Sequence, residues 1–165
     1  MGKVGIIDLG TNTFNLLIAN VNGFNYDVLH KTKIAVKLGE GGIHKGFIAP
    51  EAYQRGLDAL KVHKQTLLDY QIQNYYAVAT SAIRSSDNGT QFVEDVKQKL
   101  GILINIIDGD KEAYLIYNGV KQAVDFNGMP KLIIDIGGGS TEFIIANESQ
   151  IFWKKSYQLG AARLL

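Results

Sequence analysis

Short apolar runs and longer amphipathic segments alternate along the chain, and their order predicts the layout of the fold. The runs at residues 4–8 and 14–21 are rich in β-branched residues and bounded by turn residues, which is typical of strands. The linker "LGTNT" between them is short enough for a hairpin. A third strand is predicted over residues 26–38, where "YDVLHKTKIAVKL" alternates in part. The chain is therefore expected to open with three antiparallel strands.

After a glycine-rich loop, the pattern changes to one in which helices and strands alternate. Pro50 suits the first turn of a helix, and leucines follow it near helical spacing. The remaining elements are a strand over 75–80, a helix carrying Phe92, Val93, Val96 and Leu100, a strand over 102–107, and a helix over about 111–124 that Asp110 caps. Antiparallel strands followed by this alternation predict an α/β fold with a mixed five-stranded sheet and flanking helices.

The pattern of residues 5–19 returns at residues 132–146, at an offset of 127 residues. The two stretches, "GIIDLGTNTFNLLIA" and "LIIDIGGGSTEFIIA", have the same length and layout. Three strands are predicted in the second copy, and a three-stranded sheet with one uncovered face is poorly buried. We therefore expect a first domain over residues 1–127 and the opening βββ unit of a second, similar domain over residues 128–165, cut short in this chain.

Composition and charge narrow the classes of protein that remain. A chain of 165 residues with 46% hydrophobic and 20% charged residues is ordinary for a soluble globular protein with its own core. The formal net charge of +1 gives no global field that would favour nucleic acid or membrane partners. Cysteine is absent, which excludes disulfides, thiolate catalysis and zinc–thiolate sites. With no signal-peptide pattern and no apolar run near the roughly 20 residues of a membrane span, a cytoplasmic location is expected.

The two predicted hairpin turns carry groups that suit phosphate and a metal ion. Asp8 and Asp135 each end a strand immediately before a turn, where a rigidly held carboxylate can bind Mg²⁺ directly or through water. Successive glycine amides can converge on an anion, and a ligand can approach the backbone where Cβ is missing. The turn residues concerned are Thr11, Asn12, Thr13, Gly137, Gly138, Gly139, Ser140 and Thr141. One such turn is more often a plain hairpin, but two with aspartate at the same place favour a binding site.

Other polar residues have two interpretations that the sequence leaves open. Glu112 lies in the first turn of a predicted helix. It is either a carboxylate that the helix dipole favours at this position or a residue of the binding site. Arg84 follows a predicted strand at the sheet edge where α/β folds bind ligands, unless it is a solvated surface arginine. Lys31, Lys33 and Lys37 form a basic stripe on the third strand, for which a solvated face is the favoured interpretation.

Six separate stretches together resemble one known family. They are "IDLGTNTFNLLIA", "VKLGEGG", "AVATSAIRSSDNG", "IDGDKEAYLIYNGV", "LIIDIGGGSTEFIIA" and "YQLGAARL", in this order. The chain resembles, over nearly its whole length, the N-terminal part of the exopolyphosphatase / guanosine pentaphosphate phosphatase (Ppx/GppA) family. The combination specific to this family is "DIGGGSTE" with "GDKEA" about 25 residues upstream. The "DLGTNT" stretch alone is less specific, because the wider actin-like ATPase superfamily has similar stretches. The resemblance implies the actin-like, ribonuclease H-like fold, with two related domains around a cleft.

The resemblance also implies a reaction and its residues. The reaction would be Mg²⁺-dependent removal of the terminal phosphate from inorganic polyphosphate or from pppGpp, and a monovalent cation could take part. Glu112 matches the catalytic glutamate that activates water. Asp135 and Glu142 match acidic residues around the metal and that water, and Asp8 is grouped with them. The implied phosphate-binding residues are Thr11, Asn12, Thr13, Arg84, Gly137, Gly138, Gly139 and Ser140.

Two departures from the family pattern and two alternative functions remain. Asn15 stands where the family often has arginine, so one phosphate contact is missing or replaced. Because most of the second domain is expected to be absent, we expect the chain alone to hydrolyse polyphosphate poorly or not at all. The alternatives are an ATP-dependent kinase of the same superfamily and a non-catalytic module that binds polyphosphate or an alarmone, and "GDKEA" favours the phosphatase. The sequence does not choose between polyphosphate and pppGpp, and it leaves a homodimer as one option.

Overall fold

The computed structural model of the protein describes residues 2–23 and 25–164, which form two sheets with helices packed against them. The strands are β1 (Gly2–Leu9), β2 (Thr13–Asn22), β3 (Asn25–Ala35), β4 (Asn74–Ala79), β5 (Ile104–Ile106), β6 (Lys131–Ile136), β7 (Thr141–Ala146) and β8 (Ile151–Tyr157). The helices are α1 (Pro50–Asp69), α2 (Ser81–Arg84), α3 (Gly89–Leu100), α4 (Gly109–Ala123) and α5 (Ala161–Leu164), with a short 3₁₀ helix at Ile43–Lys45.

The first sheet is the predicted mixed five-stranded one, with strand order β3-β2-β1-β4-β5. The first three strands pair antiparallel, while β4 and β5 run parallel to β1. Apolar side chains from α1, α3 and one face of this sheet form the larger core. Phe14 and Phe92 meet there edge to face, with ring centroids 6.5 Å apart. The predicted α/β fold class, with a mixed five-stranded sheet and flanking helices, is confirmed.

The second sheet has the order β6-β7-β8 and is covered on one face by α4. Its smaller core comprises Ala113, Tyr117, Phe126, Ile144 and Ala146. Helix α4 therefore packs on the second sheet, although it follows the last strand of the first. The opposite face of this sheet exposes large apolar side chains, among them Leu132, Ile134 and Trp153. The domain boundary between residues 127 and 128 stays a prediction.

Strands β3 and β5 are shorter than the sequence predicts. Strand β5 is confined to Ile104–Ile106, although the amide of Ile107 still donates to Ala79 O at 3.0 Å. Strand β3 ends at residue 35, because Lys37 adopts a left-handed conformation with φ of 48°. That conformation lets the amide of Lys37 donate to Asn12 O at 2.8 Å. The segment after β3 thereby supports the first hairpin turn.

Helix α4 begins two residues before the predicted start. Its N-cap is Asp108, whose Oδ1 accepts a hydrogen bond from the amide of Lys111 at 2.7 Å. Asp110, the predicted cap, lies instead in the first turn and pairs with Lys154 at 2.9 Å.

Within residues 2–23 and 25–164, no helix combines the length and the apolar character required to cross a bilayer.

Candidate active site

The two hairpin turns close with the same hydrogen bond. Gly10 N donates to Thr13 O at 3.0 Å, and Gly137 N donates to Ser140 O at 2.9 Å. These pairs are separated by the same 127-residue offset as the sequence repeat. The repeat predicted from the sequence is thus also a repeat of backbone structure.

The strands that flank each turn carry an equivalent row of three polar residues, paired side by side across three strands. The first row comprises Asp8, Asn15 and Lys33, and the second row comprises Asp135, Glu142 and Ser156. In the first row, Asn15 Nδ2 donates to Asp8 Oδ2 at 3.0 Å. In the second row, Ser156 Oγ donates to Glu142 Oε1 at 2.7 Å. The two rows match in position but differ in charge.

A cleft of about 370 Å³ lies where the two turns meet. All of the predicted site residues line it except Arg84 and Glu142. Thr80, Ser81, Asn15 and Lys33 also line it. Lys33 is exposed, in agreement with the solvated strand face predicted from the sequence, and it also lines the cleft. The signal for this residue is its register opposite Asn15, which becomes visible only once β2 and β3 are paired.

The second and third glycines of the glycine-rich turn stand directly against the other turn. A Cβ on Gly138 would come within 2.8 Å of Asn12 Cγ, and a Cβ on Gly139 would come within 2.5 Å of Thr11 Oγ1 and 2.7 Å of Ser81 Oγ. Such distances are shorter than real Cβ contacts, so any side chain here would require the facing residues to shift. The sequence predicts that these glycines admit a ligand. The structure shows that two of them also admit the facing turn.

The backbone of the glycine-rich turn is held from behind by residues 160–163. The amides of Ala161 and Ala162 and the Nε of Arg163 donate to the three glycine carbonyls at 2.8 to 2.9 Å. Of the described residues, none accepts a hydrogen bond from the amides of Gly138 or Gly139. Amides fixed in this way can converge on an anion, as the sequence predicts.

Arg163 is a site residue that the sequence analysis does not single out. Besides Gly139 O, its guanidinium donates to Ser85 Oγ at 2.6 Å and to Ile43 O at 3.4 Å. Burial, together with the nearby charge of Arg84, lowers the pKa of Arg163 from its usual value. Arg163 therefore ties the glycine-rich turn to two segments on the side of the first sheet.

Glu112 and Arg84, whose roles the sequence leaves open, form an ion pair beside the cleft. Arg84 Nη1 donates to Glu112 Oε2 at 2.9 Å and to Ile107 O at 2.9 Å. Burial raises the pKa of Glu112, the negative charge of Glu142 raises it further, and hydrogen bonds from Arg84 and Thr80 oppose the rise. A carboxylate with a raised pKa is a better proton acceptor near neutral pH than an ordinary one.

Two predicted site residues lie outside the cleft lining. Arg84 lines an adjacent cavity of about 360 Å³ that it shares with Lys155 and Ser156. Glu142 is almost fully buried, with 2% of its surface exposed, and its carboxylate acts on the pKa of Glu112. The structure thus places Glu142 near the ion pair rather than in the lining between the turns.

Asp8 and Asp135 both line the cleft, where their carboxylates could take part in holding a magnesium ion. Burial raises the pKa of Asp8, the hydrogen bond from Asn15 lowers it, and the negative charge of Asp135 raises it again. Residues 2–23 and 25–164 contain no cluster of three or more acidic or histidine side chains that could hold a metal by themselves. Mg²⁺ is usually held by one or two carboxylates, waters and substrate phosphates, so this pair fits an ion that arrives with its substrate.

The raised pKa of Asp8 leads to a stability prediction. Because the folded-state pKa lies above the unfolded value of 3.8, the folded state binds the proton more tightly, and stability falls as pH rises through this window. Asp8→Asn is therefore expected to raise Tm at about pH 7 in the presence of EDTA, with little gain at about pH 3.5. The exposed Asp27→Asn variant is the control. Equal gains at both pH values would show that charge burial at Asp8 is not the cause.

Comparisons with known proteins give matches over most of the chain. A model of the "Ppx/GppA phosphatase family" matches residues 17–165. The guanosine-5'-triphosphate,3'-diphosphate pyrophosphatase of Aliivibrio fischeri is 36% identical over 160 residues, which cover 96% of this chain and 32% of that protein. A putative exopolyphosphatase of Haemophilus influenzae is 34% identical over 158 residues, which cover 96% of this chain and 49% of that protein.

A solved structure is similar over the same region. The crystal structure of an exopolyphosphatase from Cytophaga hutchinsonii matches with a TM-score of 0.96 and 44% identity, covering 99% of this chain and 52% of that one. The chain spans between 25% and 49% of the length of the curated relatives that it matches.

Proposed function

The chain belongs to the Ppx/GppA phosphatase family, and on that premise we propose that its cleft binds the phosphate end of inorganic polyphosphate or pppGpp and hydrolyses the terminal phosphoanhydride with Mg²⁺. The observation that carries the proposal is the position of Glu112. Its carboxylate is held by Arg84 at 2.9 Å and borders the same cleft as the two repeated turns. A proton acceptor and two sets of phosphate donors thus meet in one space.

The terminal phosphate is expected to lie between the two turns. The amides of Gly138 and Gly139 and the hydroxyls of Thr11 and Ser140 would donate to its non-bridging oxygens. Asp8 and Asp135 would hold Mg²⁺, which when bound supplies positive charge to the phosphate oxygens. Because the two turns face each other closely, these donors would need little rearrangement.

Glu112 is expected to act on the attacking water. Arg84 engages one carboxylate oxygen, Oε2, which fixes the orientation of Glu112. The other oxygen can accept a proton from a water aligned with the terminal phosphorus. The water oxygen forms a bond to phosphorus, the bond to the bridging oxygen breaks, and the products are orthophosphate and a chain shorter by one phosphate. The leaving oxygen departs as an anion, which the positive charges in the cleft would stabilise.

The proposal is tested by measuring binding and phosphate release side by side. The chain is titrated with polyphosphate, pppGpp and ATP in the presence of Mg²⁺, and orthophosphate is then followed under single-turnover conditions because slow hydrolysis is expected. We expect Mg²⁺-dependent binding and release with polyphosphate or pppGpp. Selective binding of ATP would support the kinase, and binding of polyphosphate or pppGpp without any release by the full-length protein would support the non-catalytic module. No binding of any of the three ligands would refute the proposal.

A further inference from the structure

Lys33 lies on β3, in the same row as Asp8 and Asn15. Asn15 pairs directly with Asp8 on one side and with Lys33 on the other. Directly opposed residues in antiparallel strands share a face of the sheet, with Cβ atoms about 4.5–5.5 Å apart. All three residues accordingly line the cleft. The ammonium group is thus placed two strands away from the carboxylate that would hold Mg²⁺.

Lys33 differs in charge from the other ionisable residues that line the cleft. Its ionisable lining residues are Asp8, Asp135, Glu112 and Lys33, so Lys33 is the basic member among the described residues. Arg84 is engaged with Glu112 and lines the neighbouring cavity. Of the ion pairs found in residues 2–23 and 25–164, none involves Lys33. An anion that enters the cleft would therefore meet this ammonium group without first displacing a carboxylate from it.

The second row differs from the first at the same position. Ser156 stands where the first row has Lys33, and its hydroxyl donates to Glu142 at 2.7 Å. The cation is therefore present on one side of the cleft only. Glu112, the proposed proton acceptor, lies in the first turn of α4, the helix that packs on the second sheet. The second-row side of the cleft therefore carries the group that would act on water, and the first-row side carries the positive charge of Lys33.

We propose that Lys33 binds a phosphate beyond the scissile bond, so that the remaining phosphate chain leaves the cleft across the β3 side. The inference rests on the proposed function. It assigns Lys33 to the second or a later phosphate of a linear phosphoanhydride chain, and not to the terminal phosphate, which the turn amides and hydroxyls hold. Both polyphosphate and the triphosphate group of pppGpp offer this chemistry.

The test compares ligands with and without a second phosphate. Lys33→Met removes the charge and keeps the length of the side chain, and Lys31→Met is the matched control on the same strand, exposed like Lys33 but outside the cleft lining. Binding of orthophosphate, inorganic triphosphate, longer polyphosphate and pppGpp is measured by calorimetry with Mg²⁺. Lys33→Met is expected to weaken triphosphate binding about tenfold and to leave orthophosphate binding nearly unchanged. Lys31→Met should alter neither, and Lys33→Arg should restore most of the affinity.

Each outcome decides the inference. Triphosphate binding by Lys33→Met equal to that of the unchanged protein, with Tm also equal, would overturn it. An equal loss for orthophosphate and triphosphate would also overturn it, because Lys33 would then act on the terminal phosphate or through its general field. If Lys33→Met loses affinity for polyphosphate and not for pppGpp, the phosphate that Lys33 binds belongs to polyphosphate. Failure of the unchanged protein to bind any phosphate ligand would instead refute the proposed function, which is a different result.

Discussion

Replacing Glu112 by glutamine is expected to lower the single-turnover rate of phosphate release by about 10²- to 10⁴-fold while leaving substrate affinity within a few-fold. Glutamine has nearly the same shape and retains an oxygen that can accept the hydrogen bond from Arg84, observed at 2.9 Å. It cannot accept a proton from water. The loss should therefore appear in the chemical step and not in binding.

The pH dependence of the same reaction follows from the pKa of Glu112. Burial raises this pKa above its ordinary value of 4.5, and only the deprotonated carboxylate can accept a proton. The rate should therefore fall as pH decreases through the raised pKa, at a higher pH than an ordinary glutamate would give. In Glu112→Gln this acid limb should disappear from whatever activity remains. The measurement is the single-turnover rate between about pH 4 and pH 8.

Two controls separate a catalytic role from a structural one. Glu148→Gln removes an exposed carboxylate in the connection between β7 and β8 and should leave rate and affinity unchanged. Thermal unfolding of Glu112→Gln should show no loss of stability, since burial disfavours the charged form of Glu112 in the folded protein. If Glu112→Gln hydrolyses polyphosphate at the rate of the unchanged protein, Glu112 is not the proton acceptor.

The parts of the site that sequence predicts well are those encoded locally. Apolar runs broken by turn residues define each hairpin, so the equivalence of Asp8 and Asp135 can be predicted without any tertiary contact. The closing hydrogen bonds of the two turns, Gly10 to Thr13 and Gly137 to Ser140, agree with that prediction. The cleft between the two turns is implied by the family resemblance and not by the turns alone.

The parts that sequence predicts poorly depend on partners far away along the chain. The contacts of Arg163 with Ile43 and Ser85 span 120 and 78 residues, and no local pattern indicates them. Alternation along β3 places Lys31 and Lys33 on one face, but it does not say that the cleft adjoins only part of that face. The apolar stripe of α4 likewise shows that the helix is packed without showing which sheet it covers.

Helix α4 has a consequence for the site because of the sheet it covers. Its N-terminus carries Glu112, and its apolar face packs on β7 and β8 of the second sheet. Arg84, the partner of Glu112, follows the first sheet at the end of α2. The ion pair therefore links an element on each sheet. Any change in the separation of the two sheets would alter the geometry of the proton acceptor.

The contact between the turns predicts a second large effect, from the smallest possible change. Gly139→Ala introduces a Cβ that would lie 2.5 Å from Thr11 Oγ1, 2.7 Å from Ser81 Oγ and 2.9 Å from Ser81 Cβ. The backbone of Gly139 does not have a positive φ, so the effect is one of space rather than backbone strain. Overpacking of this kind typically costs about 1–3 kcal/mol. We expect Mg²⁺-dependent binding of polyphosphate to weaken by roughly tenfold or more as the turns separate.

A matched variant and a rescue make this prediction specific. Gly137→Ala adds the same methyl group in the same turn, but its Cβ would approach only Ser140 O, at 3.0 Å, so the loss of affinity should be clearly smaller. Ser81→Gly removes two of the three closest atoms from the position of the new methyl group, and Ser81 Oγ is buried without a hydrogen-bond partner among the described residues. Adding Ser81→Gly to Gly139→Ala should therefore restore part of the affinity, as measured by calorimetry. If both alanine variants bind equally well and the double variant gains nothing, direct contact between the turns does not determine the affinity, and the glycines serve the ligand alone.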